Sequence, residues 1–163
     1  MIPDIRKAVD DDIPAITKIY NEAILNTTAT FDLEPKSVSS QRKWFKGHGS
    51  KNPILVAVID NNVIGWISLS EYSTRCAYAD TAELSLYVEE SFRNQGIGKK
   101  LIQAILDEGQ KAGLHTVISR IAGGNEISIH LHKQFGFDDV GVMKEVGNKF
   151  GKLLDVFIMQ KIY

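Results

Sequence analysis

The chain is poor in the features that mark a special environment. It has one cysteine, Cys76, which excludes an internal disulfide framework and most cysteine-based metal sites. Four prolines in 163 residues, with no biased tract, no repeat and no linker, argue against disorder or a fibrous architecture. No apolar run approaches the roughly 18 residues that a membrane span requires. Charge of one sign is not in excess either. Nineteen basic residues face 20 acidic ones, for a net charge of −1, so a broad basic surface for nucleic acid is not expected. The beginning, Met1-Ile2-Pro3-Asp4-Ile5-Arg6, lacks the basic-then-apolar build of an export signal, and a cytoplasmic location is expected. What is present is ordinary: 44% hydrophobic and 24% charged residues, at a length that suits one domain spanning 1–163.

Periodicity supplies the elements. Asp10, Asp11 and Asp12 suit a helix N-terminus, and Ile13, Ile16, Ile19, Tyr20, Ala23 and Ile24 then form one apolar face. Asn26–Pro35 reads as a loop holding the large apolar Phe31, and a second helix is predicted over Ser37–Lys46. Ile54–Ile59 and Val63–Leu69 make a β-hairpin about Asp60-Asn61-Asn62. After a polar, aromatic loop at Glu71–Asp80, Thr81–Val88 alternates as a strand, with Ala82, Leu84, Leu86 and Val88 opposite Glu83, Ser85 and Tyr87. Ile97–Ala112 is an amphipathic helix stopped by Gly113. A strand at His115–Ile121, a short helix at Asn125–Gln134 and strands at Phe137–Val146 and Leu153–Ile162 complete the chain. The order β, α, α, β, β, β, α, β, α, β, β predicts a mixed α/β domain, α+β in its sheet, because hairpins stand beside the strand–helix–strand unit.

The most informative stretch joins strand to helix: Val88-Glu89-Glu90-Ser91-Phe92-Arg93-Asn94-Gln95-Gly96-Ile97-Gly98-Lys99-Lys100. Glycine admits a close backbone approach, and unpaired N–H groups at a helix start attract anions, so the turn suits phosphate or pyrophosphate. A nucleoside-triphosphate loop would need glycine where Arg93 stands and Ser or Thr in place of Lys100. A dinucleotide fingerprint would need glycine at Leu101. Arg-x-x-Gly-x-Gly remains.

With Arg93, Gly96 and Gly98, this turn resembles the hallmark of the GCN5-related N-acetyltransferase (GNAT) superfamily. Gly124-Asn125-Glu126-Ile127-Ser128-Ile129-His130-Leu131-His132-Lys133-Gln134-Phe135-Gly136-Phe137 resembles that family's second motif. The likeness narrows to the phosphinothricin and methionine-sulfoximine acetyltransferases through Tyr20–Ile24, Thr27–Phe31, Ala82–Val88 and Val146–Asp155, the last with Leu153 in place of a tryptophan. The resemblance implies the GNAT acyl-CoA N-acyltransferase fold: a mixed, mostly antiparallel sheet flanked by helices, with splayed central strands. It implies acetyl-CoA as co-substrate, no metal, a small amine acceptor and a homodimer, with neither nucleic acid nor membrane as partner.

Residue by residue, the resemblance places the pyrophosphate on Arg93, Asn94, Gln95, Gly96, Ile97, Gly98 and Lys99, and the pantetheine arm along Leu86, Tyr87 and Val88. Asn125, Ser128 and His132, on one helix face, would line the thioester. His132 stands where many members carry a tyrosine general acid; it would protonate the departing thiolate or only wall the CoA site. His130 points off another face, so the pair does not form a metal site. Glu83 would be the base that takes the amine's proton, and the Val88 N–H would serve the oxyanion. Arg75 would grip a substrate carboxylate through a guanidinium fork, in a region with Ser73, Thr74 and Tyr78, while Phe31, Leu84, Ser85 and Lys149 would complete the pocket. Two alternatives stay open: the same chemistry on a polyamine, aminoglycoside or protein N-terminus, and a non-catalytic acyl-CoA-binding module.

Overall fold

The computed structural model describes all of residues 1–163. Seven strands form one sheet in the order β1-β2-β3-β4-β5-β7-β6. They are β1 (Asp4–Lys7), β2 (Ile54–Ile59), β3 (Asn62–Glu71), β4 (Thr81–Val88), β5 (Thr116–Ala122), β6 (Asp138–Lys149) and β7 (Lys152–Ile162). Every neighbouring pair is antiparallel except β4 and β5. That pair is parallel because helix α3 (Ile97–Lys111) carries the chain back across the sheet between them.

The two faces are covered by different helices. Ile97, Leu101, Ile102 and Ile105 of α3 pack on Leu69, Ala82, Leu84 and Val117 in the larger core cluster. Helix α4 (Glu126–Gln134) contributes Ile129 to the same cluster. On the opposite face, α1 (Ile13–Asn26) buries Ile13, Ile16 and Ile19 against Val56 and Trp66, with Trp44 of α2 (Val38–Lys46) and Tyr87 beside them. The alternation of β4 therefore runs as expected, with Ala82 and Leu84 toward α3 and Tyr87 toward α1.

Local chemistry explains the element ends. Asp12, buried ahead of α1, accepts from the Val9 N–H at 2.8 Å and from both arms of Arg6 at 2.7 and 2.9 Å. The Ser37 hydroxyl accepts from the Ser40 N–H at 3.0 Å and caps α2. The predicted element order is observed throughout. The largest difference lies at β6, which runs on to Lys149 rather than stopping at Val146. It does so through an irregularity between Met143 and Gly147, where Glu145 takes a positive φ of 52° and its N–H donates to the Asp155 carboxylate at 2.8 Å. A bulge breaks the alternation on which strand reading depends.

Candidate active site

The site is a consequence of the single parallel pair. β4 and β5 are in register only at Thr81↔Thr116, Ala82↔Val117 and Glu83↔Ile118, and both strands continue beyond the last of these. The Glu89 N–H donates to the Ile64 carbonyl at 2.9 Å, and Val88 lies opposite Gly65. Antiparallel strands alternate inward and outward backbone groups. Residues 84, 86 and 88 therefore turn their N–H and C=O away from β3, toward the widening gap. Leu86 and Val88 lie past the last paired position. A strand interior with an open backbone edge is costly unless something hydrogen-bonds it, and here it fronts a cavity of about 630 Å³.

Polar side chains line this cavity from both faces. Glu83 accepts from Arg120 Nε at 2.7 Å and Nη2 at 2.6 Å, a two-pronged pair on the α1 side of the gap. Arg120 is half-exposed, and its guanidinium is held more firmly protonated by the Glu83 hydrogen bonds, against the cost of burial. It is the one arginine or lysine on the cavity wall. Nothing local in the sequence singles it out, because its partner lies 37 residues away across the parallel pair.

On the α3–α4 side stand Ser119 and His132, both buried. His132 Nδ1 lies 2.7 Å from the Ser128 carbonyl and Nε2 lies 2.9 Å from Ser119 Oγ. A carbonyl only accepts, so the network assigns the proton to Nδ1, and Nε2 accepts from the Ser119 hydroxyl. Burial pulls the His132 pKa below the usual imidazole range, with the Ser128 carbonyl opposing it. The ring is thus neutral and engaged at both nitrogens. Asn125, also on the wall, caps α4 by accepting from the Ser128 N–H at 3.3 Å.

His48 is lowered too, by burial, against the Trp44 carbonyl that its Nδ1 contacts at 2.7 Å. For both histidines the unfolded chain binds more protons than the native one between the lowered folded pKa and the free value near 6.5. The histidines' contribution to stability is therefore present above about pH 6.5 and declines as pH falls through that window, by at most about 1.4 kcal/mol per pH unit for each histidine. Denaturant unfolding between pH 7 and 5 should show this decline, and His48→Gln should reduce it; a flat profile in the wild type would contradict the assignment.

The glycine turn lies at the other end of the open strand. Gly96 is left-handed at φ 79° immediately before α3, a conformation that a Cβ disfavours. Arg93 does not extend into solvent: its Nε donates to the Val88 carbonyl at 3.0 Å and Nη2 to Glu22 at 3.0 Å. Gln95 Nε2 donates to the Ser91 carbonyl at 3.1 Å. These two side chains brace the turn, leaving the backbone N–H groups around Gly96, Ile97 and Gly98, together with the exposed Lys99 and Lys100, to meet an anion.

The remaining expected residues divide. Phe31, Leu84, Ser85, Leu86, Tyr87 and Ser128 line the cavity. The Phe31 loop is tied down by buried Lys149, whose Nζ donates to the Thr30 carbonyl at 2.7 Å; burial lowers its pKa, against a pull upward from Asp32. Ser73, Thr74, Arg75 and Tyr78 are not on the wall. β3 ends at Glu71 and β4 begins at Thr81, so the connection is thrown past the sheet. There Tyr78 packs edge-on to Tyr72 at 5.2 Å and Arg75 is exposed. Wall residues that the sequence reading did not assign to the site include Arg120, Ser119, Tyr20, Thr30 and Asp32. Ser119, a polar residue on the inward side of an apolar strand, left a local signal, and Tyr20 and Thr30 lie in the segments that carry the family resemblance, whereas Arg120 left none.

Known proteins resemble the chain over nearly its whole length. Residues 16–137 match the acetyltransferase (GNAT) family. An L-methionine sulfoximine/L-methionine sulfone acetyltransferase of Pseudomonas paraeruginosa is 37% identical over 162 residues, 98% of this chain and 94% of that one. A phosphinothricin acetyltransferase from Sinorhizobium meliloti, solved in complex with AcCoA, is 35% identical with a TM-score of 0.96, over 99% of this chain and 89% of that one. A structure from Brucella melitensis described as a ribosomal-protein-alanine N-acetyltransferase is 35% identical with a TM-score of 0.95, over 98% and 99%. The splayed strand pair, the glycine turn and these likenesses place the chain in the acetyltransferase (GNAT) family.

Proposed function

We propose that residues 1–163 act as one N-acetyltransferase domain that moves the acetyl group of acetyl-CoA onto the amino group of a small amino-acid analogue of the methionine sulfoximine, methionine sulfone or phosphinothricin type. The observation that carries this reading is the open edge of β4 between the anion-binding turn and a cavity holding a carboxylate. The edge suits a pantetheine arm, whose amides need backbone partners, and the turn suits a pyrophosphate.

The chemistry divides between the two faces of the gap. The acceptor approaches from the α1 side, where Glu83 takes a proton from its ammonium group; an α-amino group titrates near 8, so a modest base suffices. The freed nitrogen bonds to the thioester carbonyl carbon, and the oxygen that becomes negative meets the Val88 N–H. As the C–S bond breaks, the nitrogen sheds its second proton and the thiolate takes one up, so protons balance. His132 works through Ser119, holding that hydroxyl at the wall beside the sulfur. Arg120 keeps Glu83 in place and offers its remaining N–H groups to the acceptor's carboxylate, the role that the exposed Arg75 cannot fill within this chain's own cavity.

Free-thiol release from acetyl-CoA, measured with methionine sulfone, methionine sulfoximine, phosphinothricin, a polyamine and a basic peptide, tests the reading. Release should be confined to the amino-acid analogues; turnover of polyamine or peptide alone would overturn it.

The working form is a cytoplasmic homodimer. Cys76 is free and exposed, which suits a reducing compartment. No helix is long and apolar enough to cross a membrane. β6 lies at the sheet edge with Val140, Val142, Met143 and Val146 exposed, an edge that a second copy would cover. Sedimentation at the mass of one 18.1 kDa chain would exclude the dimer.

A further inference from the structure

Strand β6 gives the apolar core nothing. Ten of its 12 residues are exposed, and neither core cluster draws on it. The two covered residues, Gly147 and Lys149, stand two apart and so on one side of the strand. Both meet the loop that carries Phe31. A Cβ on Gly147 would lie 2.8 Å from Phe31 Cζ, and Lys149 Nζ donates to the Thr30 carbonyl at 2.7 Å. A tight turn fixes that end of the hairpin. Lys149 pairs with Lys152, and Phe150 and Gly151 between them take positive φ angles of 54° and 72°, the two-residue turn that suits the twist of the strands.

The ammonium is a liability to the fold. Lys149 is 3% exposed and joins none of the chain's ion pairs. Its Nζ rests 5.2 Å over the Phe150 ring, and the Asp32 carboxylate attracts it only from beyond ion-pair range. A buried charge without a carboxylate partner costs stability. Methionine, nearly as long, would fill the space without that cost, so the charge answers to something other than global stability. What it touches is the wall of the cavity that holds Glu83. Thr30, Phe31 and Asp32 are on that wall and Lys149 is not. From the α1 side the loop is already held: Asn21 bonds both backbone groups of Lys36 at 2.8 and 2.9 Å, and Tyr20 Oη meets Thr30 Oγ1 at 3.1 Å. Lys149 is the tie from the opposite side, at the one backbone carbonyl next to Phe31.

We propose that Lys149 is a positioning residue for the acceptor, acting through the Thr30 carbonyl to hold Phe31 and Asp32 at the cavity wall without a net gain in global stability. This rests on the acetyl-transfer reading above and adds to it a residue that touches neither substrate.

The test compares the intact wild type with Lys149→Met by NMR relaxation, thermal unfolding and steady-state kinetics. Backbone order parameters at Thr30, Phe31 and Asp32 should fall from the rigid range near about 0.85 to below about 0.6, while those of α1 and β4 stay rigid. The Tm should stay within about 4 °C of wild type. The acceptor KM should rise about tenfold or more, with the KM for acetyl-CoA within about twofold. Lys149→Ala, which cannot overpack, decides the matter if Lys149→Met fails to fold. Unchanged order at Thr30–Asp32, an acceptor KM within about twofold of wild type, or both KM values and kcat worsening together with a large loss of Tm would overturn the proposal. So would failure of both variants to fold, since the charge would then serve the fold itself. Order parameters separate this from failure of the transferase reading. If the wild type turns over no acceptor while the loop loosens in the variant, Lys149 keeps its hold on the wall and the transferase reading falls.

Discussion

Glu83→Gln should lower kcat about 10²- to 10³-fold while leaving the KM for acetyl-CoA within about threefold, because it removes a general base and no group that meets CoA. Glutamine has nearly the same shape and can still accept one hydrogen bond from Arg120. The substitution leaves the guanidinium without its charge partner, but Arg120 is half-exposed, so the folding cost should stay within about 1 kcal/mol. That separation matters, since a Glu83 that merely anchored Arg120 would reveal itself as a small stability loss with near-normal turnover. Steady-state kinetics from pH 6 to 9 provides the sharper readout. A kcat depressed across the whole range is the result expected if Glu83 takes the proton; activity within about threefold of wild type throughout would remove it from the mechanism.

The second large effect comes from outside the chemistry. A Cβ added at Gly147 would run into Cε2 of Phe31 and lie 2.8 Å from Cζ, well inside contact distance and against a stiff ring. Gly147→Ala must therefore displace Phe31 from the cavity wall. Overpacking of this kind costs about 1–3 kcal/mol, and Phe31, 36% exposed, has solvent to turn into. The acceptor's KM should rise about tenfold or more, with little change in the KM for acetyl-CoA, whose turn and strand edge lie elsewhere. Phe31→Ala should move the same constant in the same direction by removing the wall outright. Unchanged acceptor kinetics in both variants would show that the loop does not contact the acceptor.

These two residues also show what could be read in the sequence. Glu83 and Phe31 were legible one at a time: Glu83 as the polar side of an alternating strand, Phe31 as a lone large apolar residue in a polar loop. Their partners were not. Arg120 meets Glu83 through a parallel pairing, and Gly147 meets Phe31 across a bulged strand; neither contact has a sequence spacing that marks it. The same reason separates the elements from the site. Helix α3 and strand β4 announce themselves because their periods are local, whereas the gap between β4 and β5 exists only because pairing stops after Glu83↔Ile118. The Glu71–Asp80 segment is a loop, as its polar, aromatic composition predicts, but Arg75, which the family resemblance and guanidinium chemistry place in the substrate pocket, stands off the cavity wall. Guanidinium chemistry suits a carboxylate wherever it stands, and only the length of β3 and β4 decides that Arg120 lies on the wall and Arg75 does not.

The central claim is that acetyl-CoA lies along the open edge of β4, and amide hydrogen exchange read residue by residue by NMR tests it most directly. The Leu86 and Val88 amides face the gap, while the Tyr87 amide between them faces β3. Saturating acetyl-CoA should slow exchange at Leu86 and Val88 and at the amides around Gly96–Gly98, and should change Tyr87 far less. Slowing confined to other strands, or none along β4 when acetyl-CoA is bound, would contradict the account.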